Sequence, residues 1–207
     1  MSKDPRFWNK IAKKYARTPV PDTEVYERKI ASIIELLNSD MRVLEFGCGT
    51  GTTAVRVAPH AGHIDATDFS SAMLDLARGR AKVSNVENIA FHETSVEDFS
   101  ADAGSYDVVM MHSVLHLLKD PAAAVVKAHT LLKPGGWLVT STTAIGDDGL
   151  WIFGWLARPG YAVGLLPRIS VFTGAELRAM ITGARFEIVE DWKPKKRAAN
   201  FIVARKA

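Results

Sequence analysis

A chain of 207 residues, 47% apolar and 24% charged, can bury one substantial core and is short for two, so a single domain, residues 1–207, is expected. Its net charge of +3 is small, although the sequence pI of about 9.0 leans basic. The basic groups crowd an N-terminal stretch (Lys3, Arg6, Lys10, Lys13, Lys14, Arg17) and a late loop (Lys193, Lys195, Lys196, Arg197), which reads as solvated basic faces. The one cysteine, Cys48, offers no disulfide framework, and a reducing cytoplasm is the expected setting. No apolar signal core opens the chain. No apolar stretch reaches the roughly 20 residues of a membrane helix; the nearest, Leu150 to Leu166, is broken by Arg158, Pro159 and three glycines.

In chain order, residues 1–40 read as a helical, polar-basic cap. Phe7, Trp8, Ile11 and Tyr15 share one helical face, Pro19 and Pro21 end that helix, and a second runs from about Asp22 to Asn38. Trp8 and Tyr15 either pack into the core or lid a glycine turn at residues 47–51. The stretch Val43-Leu44-Glu45-Phe46-Gly47-Cys48-Gly49-Thr50-Gly51-Thr52 is a strand, that tight turn and a helix start, with the helix reaching Pro59. His63 to Asp68 is a second strand ending in an acid. Ser70 or Ser71 caps a helix to about Val83, Asn88 to His92 is a third strand, and Thr94 to Phe99 is a polar loop.

Tyr106 to Met111 lacks alternation, as expected of a strand buried on both faces of a parallel sheet. Asp120-Pro121 starts the next helix, Lys133-Pro134-Gly135-Gly136 stops it, and Trp137 to Ser141 is a fifth strand. Alternating strands and helices argue for right-handed βαβ crossovers and an α/β three-layer domain, with residues 41–142 as its core. Residues 143–172 interrupt the alternation with glycines and bulky apolar groups. From 173 to 207, a capping box at Thr173-Gly174-Ala175-Glu176 starts a helix, and strands at 186–192 and 201–204 form a closing antiparallel pair.

The glycine turn is a ligand site whose flanking residues narrow the ligand. The dinucleotide fingerprint wants a third glycine where this chain has Thr52, and a P-loop wants a lysine that the turn lacks. Glu45 would repel a pyrophosphate and attract an ammonium group. Asp68 lies 21 positions after Gly47, close to the ~20-residue spacing at which an acid meets a ribose in Rossmann-like folds. A ligand with a ribose and a positive charge, without phosphates, fits best.

The glycine turn, Ala66-Thr67-Asp68, Ser95-Val96-Glu97-Asp98, Tyr106-Asp107-Val108-Val109 and Leu131-Leu132-Lys133-Pro134-Gly135-Gly136 together resemble, in order, the class I S-adenosylmethionine-dependent methyltransferases. The resemblance implies a Rossmann-like three-layer sandwich, with a seven-stranded, mostly parallel sheet ending in an antiparallel hairpin. It implies S-adenosyl-L-methionine as cofactor. Glu45, Gly47 and Gly49 would face its methionine part, Asp68 the ribose, and Phe69 and Met73 the adenine, with Tyr15 and Cys48 also among the cofactor-binding residues. Ser95, Val96 and Glu97 would form the adenine-side loop, where the family often has an acid at the position of Ser95. His112 and Ser113 would stand beside the sulfonium.

A sulfonium methyl is already activated, so the expected reaction is direct displacement, with the protein aligning the reactants and excluding water. His112 and His116 are the candidate general bases. The chain lacks the Asp/Asn-Pro-Pro-aromatic signature, the extra cysteines of covalent ring-carbon chemistry, and the clustered acids that hold magnesium, so no metal is expected. The acceptor is expected to be a small apolar or amphipathic molecule, as in the branch acting on ubiquinone and menaquinone precursors, lipids and other small metabolites. Trp8 and the aromatics Trp151, Phe153, Trp155 and Tyr161 of the 143–172 insertion would wall it, with core or dimer packing as the alternative for those aromatics. A DNA partner is not expected, and no interleaved aromatic and basic motif favours RNA. Methylation of RNA or a membrane lipid, peripheral membrane contact, self-association, a silent cofactor-binding role and a nucleotide-dependent oxidoreductase stay open.

Overall fold

Strands without alternation need cover on both faces, and the sheet has it in a computed structural model describing residues 5–20, 22–148, 166, 169–195 and 198–207. The strands are β1 Arg42–Phe46, β2 His63–Asp68, β3 Ile89–Glu93, β4 Tyr106–His112, β5 Leu132–Thr142, β6 Phe186–Trp192 and β7 Asn200–Lys206. Their order across the sheet is β3-β2-β1-β4-β5-β7-β6. β1 to β5 pair in parallel, and β7 runs antiparallel to both β5 and β6. The expected seven-stranded, mostly parallel sheet with a C-terminal antiparallel pair is the observed one.

Side-chain parity sorts the core into two. Leu44, Phe46, Val109, Met111, Leu138 and Ile202 face one side, where Ala124, Val125 and Ala128 of α5 (Pro121–Leu131) and Leu177 and Ile181 of α6 (Gly174–Gly183) cover them. Val43, Ile64, Ala66, Val108, Met110 and Val139 face the other side. There they meet Ile30 and Ile33 of α2 (Thr23–Ile34), Ala54 and Val57 of α3 (Thr52–Val57) and Leu74 of α4 (Ser71–Val83). The result is three layers. α1 (Arg6–Arg17) contacts α4 rather than the sheet.

Helix starts follow the local chemistry of the sequence. Asp22 accepts from the Val25 amide at 3.2 Å, Ser70 from Met73 at 3.2 Å, Asp120 from Ala123 at 2.9 Å, and Thr173 and Glu176 form the reciprocal capping box. Each such cap stabilises its helix by about 1 kcal/mol. Ends shift more. α2 stops at Ile34, short of Asn38, because the Leu36 and Leu37 amides reach back only three residues, to Ile33 and Ile34. α3 gives way at Ala58 to a 3-10 turn that takes in Pro59. β5 begins at Leu132, which pairs with Tyr106 before the register shifts ahead of Val108 and Trp137; Gly135, at φ +74°, lies in that irregular stretch.

Gly51 sits at φ +71°, and a Cβ there would lie 2.9 Å from Ala77 Cβ, so the glycine lets the turn touch α4. Gly51→Ala combines left-handed strain with overpacking and is expected to destabilise by about 2 to 3 kcal/mol, a fall in Tm of roughly 5–10 °C. Gly51→Ala/Ala77→Gly relieves the closest contact but leaves the Ala77 Cα at 3.2 Å and the backbone strain, so calorimetry should show the double variant more stable than the sum of the two single losses. A double variant no more stable than the sum of the two single changes would exclude this contact as the cause.

Candidate functional site

The turn after β1 is held open from both sides. Gly47, Gly49 and Gly51 all have positive φ, at +67°, +55° and +71°. The Cys48 amide donates to Thr67 O and the Gly51 amide to Cys48 O, both at 2.9 Å. At Gly49 an added Cβ would meet nothing within 4 Å, so the turn presents bare backbone to open space. Arg80, from α4, reaches back over it. Its Nη1 donates to Thr50 O at 2.6 Å, to Thr50 Oγ1 at 2.9 Å and to Thr52 Oγ1. Thr52 therefore serves as the arginine's partner, and the close helix approach falls at Gly51.

Parity then assembles the chemistry. Glu45 follows Val43, Asp68 follows Ile64 and Ala66, His112 follows Val108 and Met110, and Ser141 follows Val139. Each continues the face covered by α2, α3 and α4, at the C-terminal end of its strand. Glu45 is 2% exposed. Its Oε1 lies 3.6 Å from His112 Nδ1, and its Oε2 has no hydrogen-bond partner among the described residues. Both His112 ring nitrogens are likewise buried without a bond. Asp68 is also buried; Oδ2 accepts from the Gly49 amide and Oδ1 from the Ser70 amide, both at 2.9 Å. Burial pushes its carboxyl up to about 6 despite those amides. Ser113 holds the left-handed conformation at φ +53°, and its amide donates to Ser141 O at 2.7 Å. Such conformations in non-glycine residues concentrate at functional sites.

These groups line one cavity of about 540 Å³. Tyr15, Glu45, Gly47, Cys48, Gly49, Asp68, Phe69, Met73, Ser95, Val96, His112 and Ser113 all border it, as does Trp8. Trp8 stacks edge-on with Tyr15 at 6.3 Å between ring centres, so α1 covers the turn. Asn9 fixes that cover, its Oδ1 accepting from Ser70 Oγ at 2.6 Å and from the Ala72 amide at 3.3 Å. The Cys48 thiol is free and pushed well up by burial, so it is not a nucleophile at neutral pH. Ser95 Oγ is engaged with Asp98, donating to Oδ2 at 2.9 Å and accepting from its amide at 3.1 Å.

Two expected residues lie outside the lining. Glu97 is exposed beside the Ser95 turn. His116 sits in a 3-10 turn, Leu115–Leu117, where burial lowers its pKa to about 4. Trp151, Phe153, Trp155 and Tyr161 fall outside the described residues. The cavity also takes in residues that the sequence did not mark: Arg80, Tyr26 and Ser141, with Lys29 donating to Ser141 Oγ at 2.8 Å. Only the placement of α2 over the sheet reveals the last of these. Among the described residues there is no group of three or more His, Cys, Asp or Glu placed to hold a metal, and no helix long and apolar enough to cross a membrane.

Comparison with known proteins agrees with this geometry. A family profile described as a methyltransferase domain matches residues 44–138. A ubiquinone biosynthesis O-methyltransferase of Albidiferax ferrireducens is 34% identical over 128 residues, which cover 61% of this chain and 50% of that protein. The chain spans about half the length of the curated relatives it matches. The structure of an S-adenosylmethionine-dependent methyltransferase from Mesorhizobium loti superposes with a TM-score of 0.69 at 17% identity, covering 85% of this chain and 96% of that one. The cyclase SpnF superposes with a TM-score of 0.70 at 19% identity, covering 86% and 80%; the fold is thus shared with a protein named for another reaction. Residues 44–138 match a methyltransferase domain, and the chain that carries them has the fold of the class I S-adenosylmethionine-dependent methyltransferases.

Proposed function

We propose that this protein transfers the methyl group of S-adenosylmethionine to an oxygen of a small apolar or amphipathic acceptor. The observation that carries the reading is the Glu45 carboxylate, buried with one oxygen unpartnered among the described residues at the rim of an open glycine turn. A buried unpaired charge is costly, and a ligand ammonium group satisfies it. Asp68 supports the same ligand: its oxygens, which accept backbone amides, among them those of Gly49 and Ser70, keep capacity for further donors, which suits the hydroxyls of a ribose. Phe69, Met73 and Val96 provide apolar contact for an adenine.

When bound, the cofactor supplies a methyl group on a sulfonium already activated for displacement. The chain's own work is then to fix the approach and keep water out. Ser113, whose backbone N–H donates a hydrogen bond to Ser141 O, sets the wall beside the transferring group. His112, buried next to Glu45, is the group positioned to take a proton from a hydroxyl acceptor. The acceptor side is apolar, lined by Val20, Ile30, Ile33 and Leu117, with Trp8 of the helical cap above. Oxygen as the acceptor atom follows the name of the relatives. Residues 1–40 as acceptor-side cap, 41–142 as cofactor core, 143–172 as acceptor lid and 173–207 as closing hairpin is the corresponding division of labour.

Calorimetric titration with S-adenosylhomocysteine tests the assignment. Wild type is expected to bind, and Glu45→Gln and Asp68→Ala to bind roughly 10- to 100-fold more weakly, the effect of losing one hydrogen bond to a charged group. Absence of binding by the wild type would end this reading.

The pH dependence has a defined sign. Asp68 titrates at about 6, above its ordinary 3.8, so its buried charge lowers the stability of the ligand-free fold as pH rises through that interval. The ionised form is the one that accepts ribose hydroxyls. Affinity for S-adenosylhomocysteine should therefore be flat above about pH 7 and decline below pH 6, approaching tenfold per pH unit. Asp68→Asn should show no such decline; an unchanged profile in that variant would assign the titration to another group.

A further inference from the structure

We propose that Lys29 and Ser141 form an oxyanion-binding pair that holds the reacting oxygen of the methyl acceptor, an assignment that rests on the methyl-transfer reading above. A lysine on a helix that buries Ile30 and Ile33 ordinarily extends along the apolar surface toward water. Lys29 instead turns inward: its Nζ lies 2.8 Å from Ser141 Oγ, at the wall of the cavity. Among the described residues it has no carboxylate at ion-pair distance, since Asp22 is taken by Lys195 at 3.0 Å. Among those residues the side-chain partner of this half-buried ammonium is a neutral hydroxyl. Burial correspondingly pulls the Lys29 pKa below its usual value. A half-desolvated cation that lacks an anion is a site for one.

Its position selects which anion. Ser141 pairs with His112 across β4 and β5, and the strand order β2-β1-β4-β5 places the pair at the opposite end of the row from Asp68. The cofactor half of the cavity is thus Asp68 and Glu45, and the acceptor half is His112, Ser141 and Lys29. Ser141 Oγ accepts from Lys29, so its own O–H can donate to a ligand. Two donors side by side at the cavity wall would stabilise negative charge on an acceptor oxygen. In the reaction the hydroxyl proton leaves to His112 and from there to solvent. The oxygen lone pair forms the O–C bond as the C–S bond breaks, and the electrons of that bond go to sulfur. The surrounding apolar wall favours an oxygen carried on an aromatic body, a phenolate, over a solvated aliphatic alcohol.

The probe is 4-nitrophenol, whose anion is coloured, titrated against protein saturated with S-adenosylhomocysteine. The other titratable groups near this end are Glu45, Tyr26 and His112, with Asp22 at the start of α2. Wild type should bind the anion and shift nitrophenol ionisation to lower pH. Lys29→Met should lose the shift and at least about tenfold in anion affinity while its affinity for S-adenosylhomocysteine is unchanged, and Lys29→Arg should recover most of the loss. Ser141→Ala should give a smaller loss of the same kind. If Lys29 only ties α2 to β5, Lys29→Met lowers Tm and leaves nitrophenolate affinity within twofold of wild type, which overturns the proposal. Failure of wild type to bind the anion overturns it too. Should wild type bind nitrophenolate but not S-adenosylhomocysteine, the methyl-transfer reading fails while the titration without cofactor still decides the role of Lys29.

Discussion

Alternation along strands covered on both faces is the constraint on which the site depends. Leu44, Phe46, Val109 and Met111 are committed to one core, so Glu45, Asp68, His112 and Ser141 must all point to the other side. A one-residue slip in any of these strands would turn its polar end group to the wrong face. The parallel arrangement does the rest by bringing the C-terminal ends of β1, β2, β4 and β5 to one edge. Four polar groups scattered over nearly a hundred positions of sequence become a single row because their apolar predecessors are packed.

Across the two faces of β2, partnering separates a structural charge, Asp65, from the groups that line the cavity. Asp65 is as deeply buried as Asp68, yet it is bonded by His92 at 2.7 Å and by Tyr106 and Arg42 at 3.0 Å. Burial raises its pKa, but those three partners more than offset that, and it lies below the usual carboxylate range. Asp65 thereby ties β1, β2, β3 and β4 together near one end of the sheet. Asp68 is met by backbone amides alone, with no charged partner, and is held near 6; among the described residues, Glu45 keeps an oxygen without a partner and Lys29 has a neutral hydroxyl in place of a carboxylate. Folding alone does not account for these three incomplete sets. The ligand and acceptor proposed above, with a diol, an ammonium group and an anionic oxygen, would complete all of them.

Much of this is legible in the sequence because it is local. The glycine turn, the acid closing β2, the caps at Asp22, Ser70, Asp120 and Thr173, and the unalternating run of β4 each carry their own signature within a few residues. What stays hidden depends on contacts distant in sequence. Arg80 is one basic residue among many until α4 lays it across Thr50 and Thr52, some thirty positions upstream. Lys29 carries no mark in a polar helix; its meaning comes from Ser141, 112 positions away. Helical spacing pairs His112 with His116, but the left-handed turn at Ser113 breaks that period and sends His116 into a 3-10 turn, buried away from the cavity lining. Strand ends blur for the same reason: Leu132 joins the sheet only because Tyr106 is there to pair with it.

The cover over the site and the buried Asp68 carboxylate meet in one residue. Ser70, fully buried, gives its amide to Asp68, accepts the Met73 amide as the cap of α4, and donates its hydroxyl to Asn9 of α1. α1 is therefore not docked on the sheet; it hangs from the same cap that orients the Asp68 carboxylate. Trp8 and Tyr15, which close the cavity from above, take their positions from that hook. A ligand that bonds Asp68 draws on a carboxylate whose other partners, Gly49 and Ser70, belong to the turn and to the lid's anchor. A ligand bonded to Asp68 would join the same contiguous set of hydrogen bonds that holds α1 in place.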